Sequence, residues 1–223
     1  MSTQEKPLSL AVKERRATPA FDGSPIPDAD LKKILQAGLE APSGYNAQPW
    51  RFVVVRDPLQ KAALQAAGFN QTKIGEASAV IVACGDPDSW KSDLDELIEE
   101  GKKTGYIANA QIEEGIRTNY RGFRGSAPGD AGGIAPDWSL WLNRHVMIAF
   151  TTMLWTAETL GYDTAPMEGF LESAVRKALG IPERVRVIAL LSIGKRKGPD
   201  KPYGGRAPME TRVFADKWGN GLK

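Results

Sequence analysis

The chain has 223 residues, 42% of them hydrophobic and 25% charged, with a formal net charge of +2. That is enough chain for one domain with a sizeable core, and the near-balance of charge gives no global field directed at nucleic acid or a membrane surface. A single cysteine, Cys84, excludes an internal disulfide. A single histidine, His145, excludes a cluster of histidine metal ligands or a multi-histidine acid–base site.

The N-terminus, MSTQEKPLSL, has no apolar signal region, and no uncharged apolar run reaches the length of a membrane span. A cytoplasmic protein is the expectation. Ser9 is placed to cap a first short helix that runs through Lys13 to Arg16. Arg15 and Arg16 then stand near its end. There they either meet the negative helix terminus or reach an anion as planar, multi-donor forks. Pro19, Gly23, Pro25 and Pro27 mark a loop, and Asp28 is an N-cap candidate for a second helix. In that helix Leu31, Ile34, Leu35 and Leu39 share one face.

The next stretch, APSGYNAQPW from Ala41 to Trp50, is a polar elbow between this helix and an apolar strand, Arg51 to Val55. Pro42 stops the helix, Gly44 permits close backbone approach or positive φ, and Ser43 and Asn46 offer short donors and acceptors. The strand's continuous apolar character predicts burial on both faces. Asp57-Pro58 opens a third helix that ends at Gly68. The polar segment Phe69 to Ser78 follows, carrying Asn70 and Lys73, and leads into a second strand, Ala79 to Gly85. Cys84 falls in that apolar run and reads as a packed thiol.

From residue 86 to 137 the chain turns polar and Gly-rich, punctuated by Trp90, Tyr106, Tyr120 and Phe123. Helices are expected near Ser89 to Lys103 and Ala108 to Tyr120, then a long loop from Arg124 to Asp137. The block reads as a lid or substrate-facing excursion. Trp138 to Leu160 is the longest helical pattern and is apolar nearly all round, which predicts a central or subunit-interface helix. Gly161 ends it. Pro166 and Gly169 flank Met167-Glu168 at the expected start of a helix that runs to Leu179, which would expose backbone N–H groups there. Arg186 to Ile193 is the third clear strand. The Gly/Pro-rich tail, residues 194–223, is too short for its own core and should wrap another surface. No phosphate-binding glycine fingerprint of a dinucleotide fold, no P-loop and no HExxH zinc motif is present.

Taken in order, the N-terminal Arg-Arg followed by Phe-Asp, the elbow with its strand, Phe-Asn-x-x-Lys before the second strand, Pro-Met-Glu-Gly-Phe, and the late Gly-Arg-x-Pro resemble the FMN-dependent nitroreductase superfamily over nearly the whole length. The resemblance implies an α+β nitroreductase-like fold across residues 1–223, with a central mixed sheet flanked by helices. It implies an intertwined homodimer whose C-terminal extension crosses to the partner, with FMN at the subunit interface.

Carried over by position, Arg15 and Arg206 would bind the FMN phosphate, with Arg16 and Ala17 alongside. Pro42, Ser43 and Gly44 would pack on the flavin from the partner subunit, with Asn46 in the same elbow. Asn70 and Lys73 would meet the pyrimidine edge and ribityl chain. Pro166, Met167, Glu168 and Gly169 would lie beside the isoalloxazine, a backbone N–H facing N5. Tyr120, Phe123 and Trp138 are candidate walls for the acceptor. No catalytic side chain and no metal is implied, because the flavin carries the chemistry.

The implied activity is an NADH- or NADPH-dependent oxidoreductase that reduces small flat acceptors, nitroaromatics or quinones, by ping-pong transfer through flavin N5. The same fold also serves reductive dehalogenation and enone reduction, and a non-catalytic flavin-binding protein is the alternative outside enzymes. Three positions depart from the family pattern: Ala17 where Ser is frequent, Pro19 where some members are basic, and Gly204 where well-known members carry Lys.

Overall fold

A computed structural model describes residues 5–125 and 138–222, and side chains for residues 5–119 and 139–222. Four strands form one sheet: β1 (Trp50–Val55), β2 (Ala79–Gly85), β3 (Asp163–Met167) and β4 (Arg186–Gly194), in the order β1-β2-β4-β3. Every ladder is antiparallel, with Val53 opposite Val82, Val82 opposite Leu190 and Leu190 opposite Met167. The parallel contribution to the expected mixed sheet is the isolated bridge between Ala17 and Thr164.

The alternation of side chains along a strand splits the core between the two faces. Ala79, Ile81 and Ala83 of β2 face α2 (Asp28–Leu39) and α8 (Trp138–Thr159), where Ile34, Phe150 and Met153 meet them. Val80, Val82 and Cys84 face the other layer, with Leu64 of α3 (Pro58–Ala67), Ile74 of α4 (Thr72–Glu76) and Val175 of α9 (Glu172–Leu179). Burial pushes the Cys84 thiol up to about 12, so it packs as a small apolar group. α2 approaches α8 so closely that a Cβ at Gly38 would lie 2.6 Å from Met153 Cγ.

Several local expectations change. Pro7 occupies the N-cap position of α1 (Leu8–Glu14), so Ser9 lies inside the helix, and the chain turns extended at Arg15. Asp28 is the first helical residue of α2 and Pro27 the cap position; Asp28 and Asp30 still serve the positive helix end. β1 is an edge strand and only half-buried along its middle, because β2 covers one side alone. A cleft of about 560 Å³ lies beside it, lined by Leu35, Leu39, Trp50 and Phe52 among others.

Pro166 and Met167 belong to β3, not to a helix start. β3 is the other edge strand, where a proline's missing donor faces away from the ladder. The helix begins only at Glu172.

Residues 86–125 form α5 (Ser89–Ser92), α6 (Leu94–Lys103) and α7 (Ala110–Gly125); the expected single helix from Ser89 is broken at Asp93. Leu94, Ile98 and Ile107 dock this block on Ala47, Trp141 and Leu142. Among the described residues no helix is long and apolar enough to cross a membrane. After β4 the tail leaves the core. A bridge from Phe21 to Arg196 anchors its start, and beyond it Trp218 is 92% exposed, with Met209, Val213 and Leu222 also exposed.

Candidate functional site

The sequence-derived site residues fall into three groups. The first is the elbow. Ser43 Oγ accepts a hydrogen bond from the Gln48 backbone N–H at 3.0 Å, which closes the turn on itself. Gly44 is needed for close approach: a Cβ there would come 3.2 Å from His145 Nε2. The positive φ angles fall instead on its neighbours Tyr45, Asn46 and Gln48. His145 stacks on Trp141 with ring centroids 4.2 Å apart. Its Nδ1 lies 2.8 Å from the Trp141 carbonyl, which makes Nδ1 the donor. Pro42 and Asn46 stand exposed at the elbow's surface.

The second group joins two loops distant in sequence. Phe69 and Asn70 both have positive φ, 55° and 57°. Of the six non-glycine residues with positive φ among those described, five lie in this loop or the elbow. Strain of this kind persists only where surrounding contacts hold it. Gln71 supplies such contacts: its Nε2 donates to the Gly68 carbonyl at 3.0 Å and to the Gly169 carbonyl at 2.9 Å. The Leu171 N–H adds a bond to the Ala67 carbonyl at 2.8 Å.

The Asn70–Lys73 turn is thereby fixed against the loop after Met167, which contains Glu168 and Gly169. Asn70 and Lys73 make no side-chain hydrogen bond or ion pair with any described residue. Burial first, and Lys201 second, hold the Lys73 ammonium below its ordinary range. An anionic or acceptor-rich ligand edge would relieve both.

The third group surrounds the end of α1. Arg15 has one guanidinium nitrogen, Nη1, buried without a hydrogen-bond partner, and its guanidinium lies 5.7 Å from the Trp155 ring centre. Arg16 spends Nη1 on the carbonyls of Lys13, Glu14 and Arg15, capping the helix. Tyr203 brings the tail in: Arg16 sits 4.5 Å and Arg206 5.5 Å from its ring centre. Ala17 offers no side-chain donor, and its backbone is engaged with Thr164. The residues present fit a phosphate-bearing flavin: a buried unpaired guanidinium nitrogen for the anionic end, and, for the ring edge, an amide and an ammonium that no described side chain engages.

These groups do not all meet within one chain. The elbow packs on His145 and Arg15 on Trp155, toward opposite ends of α8 and about 15 Å apart at the helical rise. Tyr120, Phe123 and Trp138 lie at the end of α7 and the start of α8, but their side chains are outside the described residues. The sequence reading passed over Gln71, Trp155 and Tyr203. Glu158 is a further case, because an acid within an apolar helix was itself a signal. No group of three or more His, Cys, Asp or Glu side chains that could hold a metal occurs among the described residues.

A sheet covered by helices on both faces, with cations and strained loops at its edges, is the architecture of an α+β flavoprotein of the nitroreductase type. A protein assigned as a nitroreductase from Exiguobacterium sibiricum, solved in complex with FMN, superposes with a TM-score of 0.81. It is 26% identical, and the match covers 93% of this chain and 96% of that one. The chain belongs to the nitroreductase family, whose sequence model matches residues 12–195. An NADH dehydrogenase of Thermus thermophilus is 34% identical over 92% of this chain and 93% of its own length. The oxygen-insensitive NAD(P)H nitroreductase of Salmonella typhimurium is 28% identical over 92% and 97%.

Proposed function

We propose that two copies of this chain form FMN sites at their interface and reduce small flat acceptors, nitroaromatics or quinones, at the expense of NADH or NADPH. The chain is an FMN-dependent NAD(P)H oxidoreductase of the nitroreductase family. FMN, when bound, would supply the redox chemistry that links the nicotinamide to the acceptor in a ping-pong cycle. The protein's own residues bind and orient. Arg15 and Arg206 neutralise the phosphate. Asn70 and Lys73 hold the pyrimidine edge and ribityl chain, where the Lys73 charge favours the reduced anionic ring. Pro166, Met167, Glu168 and Gly169 lie along the ring system.

The partner subunit's elbow, with Pro42, Ser43, Gly44 and Asn46, closes the site. An antiparallel pairing of two α8 helices is what would bring one chain's elbow to the other's arginines. The apolar surface of Leu8, Met147, Ile148 and Trp155 would be buried in that pairing. The tail from residue 194 would cross to the partner, where its exposed Met209, Val213 and Trp218 would find cover. Residues 86–137 would face the substrate, with Tyr120, Phe123 and Trp138 as walls. A nicotinamide-dependent cycle fits a cytoplasmic protein.

The observation that carries this reading is the pinned pair of loops, in which Gln71 sets Asn70 and Lys73, which no described side chain engages, against Glu168 and Gly169. Its test is the visible absorbance of the purified protein before and after heat release. A flavin spectrum is expected, with FMN as the released compound and with bleaching on addition of NADH or NADPH. A colourless protein that takes up no added FMN overturns the reading.

A further inference from the structure

Beside the arginines lies a polar cavity of about 260 Å³, lined by Lys6, Glu14, Arg15, Arg16, Glu158, Asp163, Arg196 and Asp200. Its charges pair off almost completely. Lys6 meets Glu14 at 3.1 Å. Arg196 meets Asp200 at 2.5 Å and Asp163 at 3.9 Å. Arg16 is spent on the helix carbonyls. Arg15 and Glu158 both line the cavity and feel each other's charge without forming an ion pair.

Glu158 is 5% exposed on α8, an unusual place for a carboxyl group. One of its oxygens is fixed, since Oε1 accepts a hydrogen bond from Thr164 Oγ1 at 2.6 Å. Thr164 is the residue whose backbone carbonyl takes the Thr18 N–H at 3.0 Å and whose strand bridges to Ala17. The carboxyl group is therefore locked to the same segment that carries Arg15 into the site.

We propose that Glu158 is the positioning residue for Arg15, and that its ionisation state sets how much of the Arg15 charge is free for a bound phosphate. This rests on the reading that Arg15 holds the FMN phosphate. Ionised, Glu158 draws Arg15 toward the cavity and competes with the phosphate. Protonated, it leaves the guanidinium to the anion.

The groups that act on Glu158 come from each surrounding element. Burial raises its pKa to about 7, the Thr164 hydroxyl opposes this, Asp163 of β3 adds to it, and Arg15 and Lys6 oppose it. Glu14, Arg16, Arg196 and Asp200 complete the cavity wall. The carboxyl group thus changes charge near neutrality, where flavin and nicotinamide chemistry proceeds.

The test compares wild type and Glu158→Gln, which keeps the acceptor for Thr164 and removes the charge. FMN dissociation constants are measured by flavin fluorescence at several pH values from 6 to 8, with riboflavin as a control that lacks phosphate. The phosphate's own ionisation is common to both proteins and cancels in their ratio. The wild-type-to-variant ratio of FMN dissociation constants is expected to rise from near one at pH 6 to about fivefold at pH 8, as follows from one pKa unit of interaction. For riboflavin it should stay flat. A flat FMN ratio overturns the inference.

Arg15→Ala separates this from the underlying reading. If Arg15→Ala leaves the preference for FMN over riboflavin intact, the phosphate assignment itself fails. If it abolishes that preference while the Glu158→Gln ratio is flat, only the positioning role fails. A wild-type measurement covers poor folding of the variant. Linkage is reciprocal, so the Glu158 carboxyl resonance in ¹³C NMR should titrate at a higher pH with FMN bound than without. An unchanged midpoint counts against the proposal.

Discussion

The two ends of α8 are built on different principles. Toward the N-terminal end the described contacts close on one another: His145 packs on Trp141 and bonds to its carbonyl, Gly44 abuts the imidazole, and the elbow is tied by Ser43. At the C-terminal end charge is left over: Arg15 carries a buried nitrogen without a partner, and Glu158 sits in the helix as a buried carboxyl group. The first end is stable as it stands. On the proposal above the second end is completed by a bound flavin, and a site assembled from both would need a second copy of the chain, because one helix holds its halves apart.

The largest effect should come from breaking the charged end. Arg15→Ala removes the guanidinium with the unpaired nitrogen. A charge-assisted phosphate contact is worth up to about 3 kcal/mol. FMN affinity should fall about a hundredfold, while the unfolding midpoint of the flavin-free protein changes little or rises. Titration of the apoprotein with FMN, alongside urea unfolding, checks both. A variant that loses stability but keeps FMN would move Arg15 to the structural side of the comparison.

Next is the pH dependence of that end. The Glu158 carboxyl is raised from its ordinary 4.5 to about 7, so the native state holds a proton that the unfolded chain has already released. Between these values the unfolded state binds fewer protons and stability falls as pH rises. The contribution is intact below the unfolded pKa and gone above about pH 7. Glu158→Gln lacks this falling limb. It should match wild type near pH 4 and exceed it by about 3 kcal/mol at pH 8, in flavin-free protein at fixed concentration. Equal differences at both pH values would show that the native Glu158 carboxyl is not raised above its unfolded value.

The closed end predicts a smaller cost of the opposite kind. Gly44→Ala places a methyl group 3.2 Å from His145 Nε2, so the imidazole or the elbow must yield by a few tenths of an ångström. A loss of about 1 kcal/mol in stability is expected, with FMN affinity reduced only if the partner's elbow covers the flavin. Stability lost without any change in FMN binding would argue against the composite site.

How far the sequence revealed this contrast depended on the kind of signal. The elbow was legible because proline and glycine punctuate it, and the Arg15 pair because two arginines after a short helix are conspicuous. β3 was not. A proline, a methionine and a glycine around Glu168 read as a helix entry, and only the sheet order shows that Pro166 sits on an edge where it costs no ladder bond. The positive φ angles at Phe69 and Asn70 were equally hidden, since tertiary ties through Gln71, not local preference, hold them. The half-burial of β1 also escaped the apolar pattern, which does not say whether a strand has one neighbour or two.

The smallest expected effect concerns Gly204, the position at which the family resemblance implies a lysine. A Cβ built there meets no atom within 4 Å, and the backbone is not in the left-handed region, so Gly204→Lys should be accepted without strain. Its neighbour Tyr203 holds Arg16 and Arg206 on one ring, so an added ammonium enters a surface already cationic. Without an anion this repulsion is screened and costs a few tenths of a kcal/mol. With FMN bound, the new charge gains from the phosphate. A three- to tenfold tightening of FMN is expected, weakening as salt is raised, with riboflavin binding unchanged. If the lysine leaves FMN affinity untouched at low salt, the tail does not reach the phosphate, and the charged end must be completed by Arg15 alone.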